Sequence, residues 1–129
     1  MRSFAKEKAM KTILLADDEV NLRILVRTTL DGAEYCILEA ADGTTALELA
    51  RQERPDLLVL DWMMPGINGL DVALALRQDP MTAHIPIIML TAKGQDTDKE
   101  RGRSLGTSAY LVKPFSPLEL LRKVQEILG

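Results

Sequence analysis

Apolar residues along this chain form five short continuous runs, separated by longer segments in which they recur every three or four positions. Short runs are typical of strands buried in a parallel sheet, and the periodic segments are typical of helices with one apolar face. Strands that alternate with helices predict an α/β fold. The predicted strands are Thr12 to Ala16, Cys36 to Ala40, Leu57 to Leu60, Ile87 to Leu90 and Tyr110 to Val112.

Five helices are expected to flank the sheet, and four of them carry an apolar stripe that should pack against it. The last helix has the clearest start, because Ser116, Pro117 and Glu119 supply a capping hydroxyl, a first-turn proline and a capping-box glutamate. The fourth helix, roughly Thr97 to Leu105, is the weakest and the one expected to move, since Gly102 lies in its interior. The stripes of the other four are Leu22, Leu25, Val26 and Leu30; Ala46, Leu49 and Ala50; Leu70, Ala73 and Leu74; and Leu120, Leu121, Val124, Ile127 and Leu128.

The bulk composition is that of one soluble globular domain. A length of 129 residues fits a single domain, so we do not expect an attached output or catalytic domain. Charged residues of both signs are interspersed and the net charge is -3, which does not suggest a nucleic-acid partner. No apolar run is long enough to span a membrane, and Cys36 is the only cysteine, so no disulfide can form within the chain. We expect a cytoplasmic protein with an N-terminal arm, residues 1–10, and one domain, residues 11–129.

Acidic residues follow the first and third predicted strands. Asp17, Asp18 and Glu19 come after the first, and Asp61 comes after the third. A parallel sheet brings these strand ends to one edge, where carboxylates repel each other and either raise a pKa or recruit a cation. Oxygen ligands of this kind suit Mg²⁺. A simpler interpretation is that the first group stabilises the positive start of a helix while Asp61 opens a turn.

A hydroxyl and an ammonium group are expected at the same edge. Thr91 follows the fourth predicted strand and Lys113 follows the fifth. Either residue alone is usually an ordinary strand-end or solvated side chain. Together with the acids they form a set in which an aspartate can attack phosphorus, and in which the hydroxyl and the ammonium group can hold the resulting acyl phosphate.

These residues carry a family resemblance that covers nearly the whole chain. Residues 11–129 resemble the receiver domain of bacterial two-component response regulators, the fold of single-domain chemotaxis regulators. The spacing between the motifs is also similar to that of the family. The matching motifs are Leu14-Leu15-Ala16-Asp17-Asp18, Asp61-Trp62-Met63-Met64-Pro65 with Gly69, Thr91-Ala92, and Lys113-Pro114-Phe115.

The resemblance implies a role for each acidic residue. Asp61 would be the phosphoacceptor and a ligand of Mg²⁺. Asp18 would be a direct metal ligand, and Asp17 would act largely through water. The main-chain carbonyl of Met63 would complete the protein's share of the metal ligands.

The resemblance also implies how the phosphoryl group is sensed. Thr91 would bond one phosphoryl oxygen and Lys113 would pair with another, so that both act with Asp61 in catalysis. Tyr110 matches the aromatic residue that turns inward when Thr91 shifts, which makes these two the switch. The Lys113-Pro114 bond resembles the family's cis peptide.

The implied fold is a flavodoxin-like, doubly wound sheet of five parallel strands in the order 2-1-3-4-5, with five flanking helices. The implied function is phosphorelay signal transduction. A sensor histidine kinase or phosphotransfer protein phosphorylates Asp61 with Mg²⁺. The face formed by the fourth helix, the fifth strand and the last helix then changes for a downstream protein. The chain would be a monomeric phosphoprotein and not an enzyme, since it catalyses only its own phosphotransfer and dephosphorylation.

Three alternatives stay open at this point. The chain could be cut from a longer regulator, for example one that binds DNA. It could be a phosphatase with an aspartyl-phosphate intermediate, although Met63 stands where that superfamily places a second acid. It could also be a receiver-like binding module that signals without phosphorylation.

Several conspicuous residues are expected to have ordinary roles. His84 lies in a loop and should be a surface residue, and Cys36 lies in an apolar run and should be a small buried thiol. Trp62 is equally compatible with an exposed docking position and with packing in the core. The methionines are expected to fill core and loop positions: Met63, Met64, Met81 and Met89.

Overall fold

The computed structural model describes residues 10–30, 35–92 and 106–129, and all five predicted strands lie within these ranges. They form one parallel sheet in the order β2-β1-β3-β4-β5, which confirms the expected topology. Each strand is one or two residues longer than its apolar run, because the residues next to the run continue the pairing with the neighbouring strand. The strands are β1 Lys11–Ala16, β2 Tyr35–Ala40, β3 Leu57–Asp61, β4 Ile87–Ala92 and β5 Ala109–Lys113.

Four helices occur within the described residues, where five were predicted for the whole chain. They are α1 Val20–Leu30, α2 Gly43–Glu53, α3 Gly69–Gln78 and the C-terminal helix α4 Pro117–Leu128. The helix predicted at Thr97 to Leu105 and most of the predicted N-terminal arm, residues 1–9, lie outside the described residues. None of the described helices is long and apolar enough to cross a membrane.

Alternate side chains of each strand point to opposite faces of the sheet, and each face has its own core. The α2 and α3 face has a core that includes Leu14, Leu58, Leu60, Val72 and Leu76. The α1 and α4 face has a core that includes Ile13, Leu15, Val59, Val26 and Val124. Central strands β1, β3 and β4 are therefore covered on both sides, as a doubly wound sheet requires.

The predicted apolar stripes are correct for α4 and partly wrong for α1 and α3. Leu25 of α1 and Leu74 of α3 are exposed, the latter by 43%. In α3 the buried positions are Gly69, Val72, Ala73 and Leu76. The helix is rotated relative to the predicted stripe because the bulky Val72 and Leu76 fill the space above the sheet.

The C-terminal helix begins as predicted. Ser116 Oγ accepts a hydrogen bond from the Glu119 amide, and the Glu119 carboxylate accepts one from the Ser116 amide, each at 3.1 Å. Pro117 occupies the first turn. These reciprocal bonds satisfy two amides that a helix start otherwise leaves without partners.

Two expectations about individual side chains are corrected or resolved by the packing. Cys36 is exposed, not buried, because it lies near the start of β2, which is an edge strand with a neighbouring strand on one side only. Trp62 is buried, with 4% of its surface exposed, and packs in the core on the α2 and α3 face. His84 is exposed, as expected.

Candidate functional site

The carboxyl ends of the strands meet at one edge of the sheet and assemble the residues that the sequence singled out. Asp61 is the last residue of β3 and pairs with Leu90 of β4. Thr91 is opposite Val112, one residue before Lys113. Asp17 follows β1, and its amide donates to the carbonyl of Ala40 at 3.0 Å, which continues the pairing with β2.

Three carboxylates form a compact cluster at this edge. One carboxylate oxygen from each of Asp17, Asp18 and Asp61 lies within 4.8 Å of the others. Asp17 and Asp61 are buried, whereas Asp18 is exposed. The set consists only of oxygen donors and opens to solvent on the Asp18 side, which fits a Mg²⁺ ion that retains water ligands.

Lys113 lies between two of these acids. Its Nζ donates to Asp17 Oδ2 at 2.8 Å and is 3.3 Å from Asp61 Oδ1. Burial by itself lowers the pKa of Lys113, but the hydrogen bond and charge of Asp17 and the charge of Asp61 outweigh it, and the pKa is raised. The ammonium group therefore stays charged and partly balances the acidic cluster. The following Lys113-Pro114 peptide is cis, as expected.

Asp61 is the most perturbed acid of the cluster. Only 6% of its surface is exposed, and burial followed by repulsion from Asp17 raises its pKa to about 6, while Lys113 opposes the shift. A carboxylate with a raised pKa is held at a site where neutralising its charge is favourable. Binding of a metal ion would offset the negative charge of Asp61, and bonding of its oxygen to a phosphoryl group would remove that charge from the carboxylate.

Thr91 presents a buried hydroxyl to the same region. Its Oγ1 is inaccessible to solvent and has no hydrogen-bond partner among the described residues. A buried hydroxyl without a partner costs about 1–3 kcal/mol, so its retention requires an explanation. A phosphoryl oxygen bound at Asp61 is an acceptor that Thr91 could use.

The turn after β3 is fixed by backbone contacts. The Met63 amide donates to Asp61 Oδ1 at 3.4 Å, and the Gly69 amide donates to the Trp62 carbonyl at 2.8 Å. A Cβ atom at Gly69 would lie 2.3 Å from the Asp61 carbonyl oxygen, so only glycine lets α3 approach the end of β3. The Met63 side chain is 62% exposed beside this turn.

Tyr110 lies beneath the site on β5. It pairs with Met89 in the sheet register and packs, half-buried, against the core on the α2 and α3 face. The fourth helix of the predicted partner-binding face, Thr97 to Leu105, lies outside the described part of the chain.

Three charged residues next to the site, from α1 and β2, were not singled out by the sequence. Arg23 of α1 donates from Nη1 to the Asp17 carbonyl at 2.7 Å, and its Nε donates to Glu39 at 3.1 Å. Arg27 donates to the same Glu39 carboxylate at 2.7 Å. The i, i+4 spacing of the two arginines places them on one helix face, but nothing local in the sequence identifies Glu39 as their partner.

The comparisons with known proteins decide the family. A family model described as the response regulator receiver domain matches residues 13–125. The chain belongs to the response regulator receiver domain family. Members of this family are signalling modules and not classical enzymes, and the expected resemblance is confirmed.

Curated relatives of the receiver chain are transcriptional regulators. It is 43% identical over 118 residues to the phosphate regulon transcriptional regulatory protein PhoB of Pseudomonas aeruginosa, covering 92% of this chain and 52% of that protein. It is also 43% identical over 118 residues to the alkaline phosphatase synthesis transcriptional regulatory protein PhoP of Bacillus subtilis, covering 92% and 48%. The receiver chain thus spans about half the length of these relatives.

Solved structures share its fold. The chemotaxis response regulator CheY4 of Vibrio cholerae superposes with a TM-score of 0.85 at 36% identity, covering 92% of this chain and 98% of that one. The receiver domain of AraT, a response regulator from Geobacillus stearothermophilus, gives 0.82 at 31% identity, covering 91% and 92%. The flavodoxin-like, doubly wound fold is therefore common to this chain and to both of these response regulators.

Proposed function

We propose that this receiver is a phosphorylation-controlled switch in which Asp61 accepts a phosphoryl group from a sensor histidine kinase or phosphotransfer protein. The observation that carries the proposal is the convergence of a buried aspartate with two further carboxylates, an ammonium group and a hydroxyl that has no hydrogen-bond partner within the described part of the chain. Each group has a separate ordinary explanation, but no ordinary explanation requires all of them at one strand edge. As for other receivers, we place the protein in the cytoplasm.

The residues present suit a Mg²⁺ ion held by Asp17, Asp18, Asp61 and the Met63 carbonyl. When bound, Mg²⁺ supplies positive charge that offsets repulsion between these carboxylates and the phosphoryl oxygens. An Asp61 oxygen attacks phosphorus as the phosphorus–nitrogen bond to the donor histidine breaks. The imidazole nitrogen keeps the electron pair and is protonated by solvent.

The phosphoryl group then changes the contacts of Thr91, Lys113 and Tyr110. The Thr91 hydroxyl donates to one phosphoryl oxygen, and the Lys113 ammonium pairs with another. Because Tyr110 is half-buried beside β4, movement of Thr91 toward the phosphoryl group opens space for its ring to turn inward. An added charge of about -1.5 to -2 is sufficient to bias such a two-state element.

Phosphorylation by a small acyl-phosphate donor tests this function. With Mg²⁺, wild type should gain the mass of one phosphoryl group, and removing Mg²⁺ with EDTA should abolish the gain. Asp61→Asn should gain none, whereas the control Asp71→Asn, which changes an exposed acid on α3, should react like wild type. A gain that survives Asp61→Asn would contradict the proposal, and multiple-turnover phosphate release from a metabolite would favour the phosphatase alternative.

The apolar groove beside the site is the surface we assign to the phosphodonor. It encloses about 450 Å³ and is lined by α1 residues including Leu22 and Leu25, and by Lys113 and Phe115. Since Lys113 contacts Asp61, a donor that reaches this aspartate must cover the groove. Of the lining residues, Leu25 of α1 is exposed by 38%.

A Leu25→Asp variant tests this docking surface. It should slow phosphotransfer from the kinase about tenfold or more, because a charge replaces exposed apolar surface. Phosphorylation by the small acyl phosphate should be unchanged. Leu74→Asp, which places the same charge on exposed surface of the opposite face, is the control. Equal kinase rates for Leu25→Asp and the control would mean that the donor docks elsewhere.

A second candidate is the receiver portion of a longer transcriptional regulator. It is favoured by the relatives, of which the chain covers 52% and 48% and whose names describe transcriptional regulation. In that case phosphorylation would control an attached domain, and the expectation of no nucleic-acid partner would hold for the receiver alone. A genomic reading frame that continues past Gly129 into a DNA-binding domain would decide for this candidate.

A further inference from the structure

We propose that Arg23, which is held by an ion pair with Glu39, is a positioning residue that keeps the acidic turn, residues 17–19, in the geometry that binds Mg²⁺. The inference rests on the function proposed above, since it concerns the affinity of that same site. Arg23 touches neither phosphate nor metal in this proposal. It acts through the backbone of Asp17.

The acidic turn is fixed from two sides. Within the turn, Asp17 Oδ1 accepts a hydrogen bond from the Glu19 amide at 2.8 Å. From outside, the Asp17 carbonyl accepts one from Arg23 Nη1 at 2.7 Å. Asp17 Oδ2 is meanwhile engaged by Lys113. The contact from Arg23 therefore sets the orientation of the peptide that joins Asp17 to Asp18.

The guanidinium group is itself immobilised. Glu39 of β2 accepts from Arg23 Nε at 3.1 Å, and the Arg23 side chain is only 16% exposed. The other Glu39 oxygen binds Arg27, so one carboxylate orients two arginines. An ion pair in this semi-buried setting restricts the side chain more than exposed pairs do, and the planar guanidinium can serve both acceptors at once.

The direction in which Mg²⁺ affinity changes when Arg23 is removed distinguishes a positioning role from a purely electrostatic one. Arg23 is a cation close to a cluster that binds a cation, so its charge alone opposes Mg²⁺ binding. Removing that charge should tighten binding if charge is all that matters. If Arg23 positions the turn, removing it should weaken binding, because outer contacts that orient metal ligands typically contribute about 10–100-fold to affinity.

Arg27 provides a matched control on the same helix. It pairs with the same Glu39 carboxylate and carries the same charge, but its main-chain contact is the Ile37 carbonyl, at 3.3 Å, and not the acidic turn. Arg23→Met and Arg27→Met each remove one positive charge and retain an apolar stem. They differ in whether the contact to Asp17 is lost.

The experiment is a titration of the full chain with Mg²⁺ at constant ionic strength, followed by calorimetry and by fluorescence of Trp62. We expect Arg23→Met to raise the Kd for Mg²⁺ about tenfold, and Arg27→Met to leave it within about twofold or lower it. An Arg23→Met affinity equal to or tighter than that of wild type overturns the inference. So does an equal loss in both variants, which would indicate a general effect of the ion-pair network.

Hydrogen exchange of the metal-free protein tests the turn directly. The Glu19 amide should exchange several-fold faster in Arg23→Met than in Arg27→Met, because the turn has lost the hydrogen bond from Arg23 to the Asp17 carbonyl. Equal exchange rates would contradict the inference. If Arg23→Met does not fold, Arg23→Lys takes its place. Lysine keeps the positive charge, but a single ammonium group cannot bind the Asp17 carbonyl and the Glu39 carboxylate at once as the planar guanidinium does. The Mg²⁺ affinity of Arg23→Lys should therefore still fall below that of wild type. An unchanged affinity for Arg23→Lys would then overturn the inference.

Failure of the proposed function gives a different result. In that case wild type itself shows no Mg²⁺ binding and gains no phosphoryl group at Asp61. If wild type binds Mg²⁺ and is phosphorylated while Arg23→Met is indistinguishable from it, only the positioning role is wrong.

Discussion

At the scale of single residues, Asp61 is held in a state that is unfavourable until its charge is neutralised. It is buried next to Asp17, and Lys113 offsets this repulsion only in part, so its pKa is raised from 3.8 to about 6. The folded protein therefore retains a proton on Asp61 over a pH range in which the unfolded chain has lost it. Stability that this group contributes is complete below about pH 4 and is lost as the pH rises through about 6.

Asp61→Asn should stabilise the metal-free protein at neutral pH. The rise of the Asp61 pKa to about 6 corresponds to about 1–3 kcal/mol of unfolding free energy above pH 6. This gain should largely vanish near about pH 3, where the wild-type carboxyl is mostly protonated in both the folded and the unfolded state. Urea unfolding in EDTA at the two pH values measures it. Asp71→Asn, at an exposed position, should change stability by less than about 0.5 kcal/mol at either pH, and a pH-independent gain for Asp61→Asn would contradict the assignment.

At the scale of elements, the end of each strand and the start of the next helix determine where the functional groups lie. Gly69 allows α3 to approach β3 closely, and the Trp62 carbonyl anchors its first turn. The orientation of α3 then follows from which side chains fill the space above the sheet. Val72 and Leu76 do so, whereas Leu74 faces solvent.

A pair of alanine substitutions in α3 tests this orientation. Leu76→Ala should lower the unfolding free energy by about 2–5 kcal/mol, because it leaves a cavity in the core. Leu74→Ala removes the same atoms from an exposed position and should cost less than about 1 kcal/mol. Thermal or urea unfolding of the two variants gives the comparison directly. Equal losses would contradict this orientation, and a larger loss for Leu74→Ala would mean that Leu74 faces the core as the sequence predicted.

At the scale of the whole molecule, the doubly wound sheet links the acidic site to global stability. Asp17, Asp61 and Lys113 lie on β-strands or directly after them, and two cores hold those strands from both sides. Any ligand that binds the folded site and not the unfolded chain must therefore stabilise the entire domain.

Mg²⁺ should raise the unfolding free energy by about 2.7 kcal/mol at a concentration of about 100 times its Kd. The physical reason is that the folded cluster gathers three carboxylates that the unfolded chain keeps apart. Chelation with EDTA should reverse the effect, and NaCl at matched ionic strength should not reproduce it. Asp18→Asn removes the exposed ligand and should reduce the Mg²⁺ response. If Mg²⁺ stabilises Asp18→Asn as much as it stabilises wild type, the ion does not bind at this cluster.

Much of this organisation could be predicted because it is encoded locally. The strand runs, the capping box at Ser116 and the polar residues after the strands are all recognisable within a few positions of sequence. Parallel topology then brings Asp17, Asp61, Thr91 and Lys113 to one edge without further information. The order of the strands and the proposed roles of these residues came from the family resemblance.

Other features depend on which elements become neighbours, and local patterns do not contain that information. Cys36 lies in an apolar run like those of the central strands, yet β2 is at the edge of the sheet and the thiol is exposed. Trp62 was compatible with two environments until the packing of α3 buried it.

By itself, the sequence determined the α/β class, the strand positions and the set of candidate site residues, because periodicity and strand-end chemistry act over short distances. Only the tertiary structure decided that Arg23 joins Glu39 to the Asp17 carbonyl, and that Asp61 has a raised pKa. It also decided that the Thr91 hydroxyl is buried and has no hydrogen-bond partner among the residues that the structure describes. Each of these depends on contacts between residues far apart in the chain, and on the loss of water around them when the two faces of the sheet are covered.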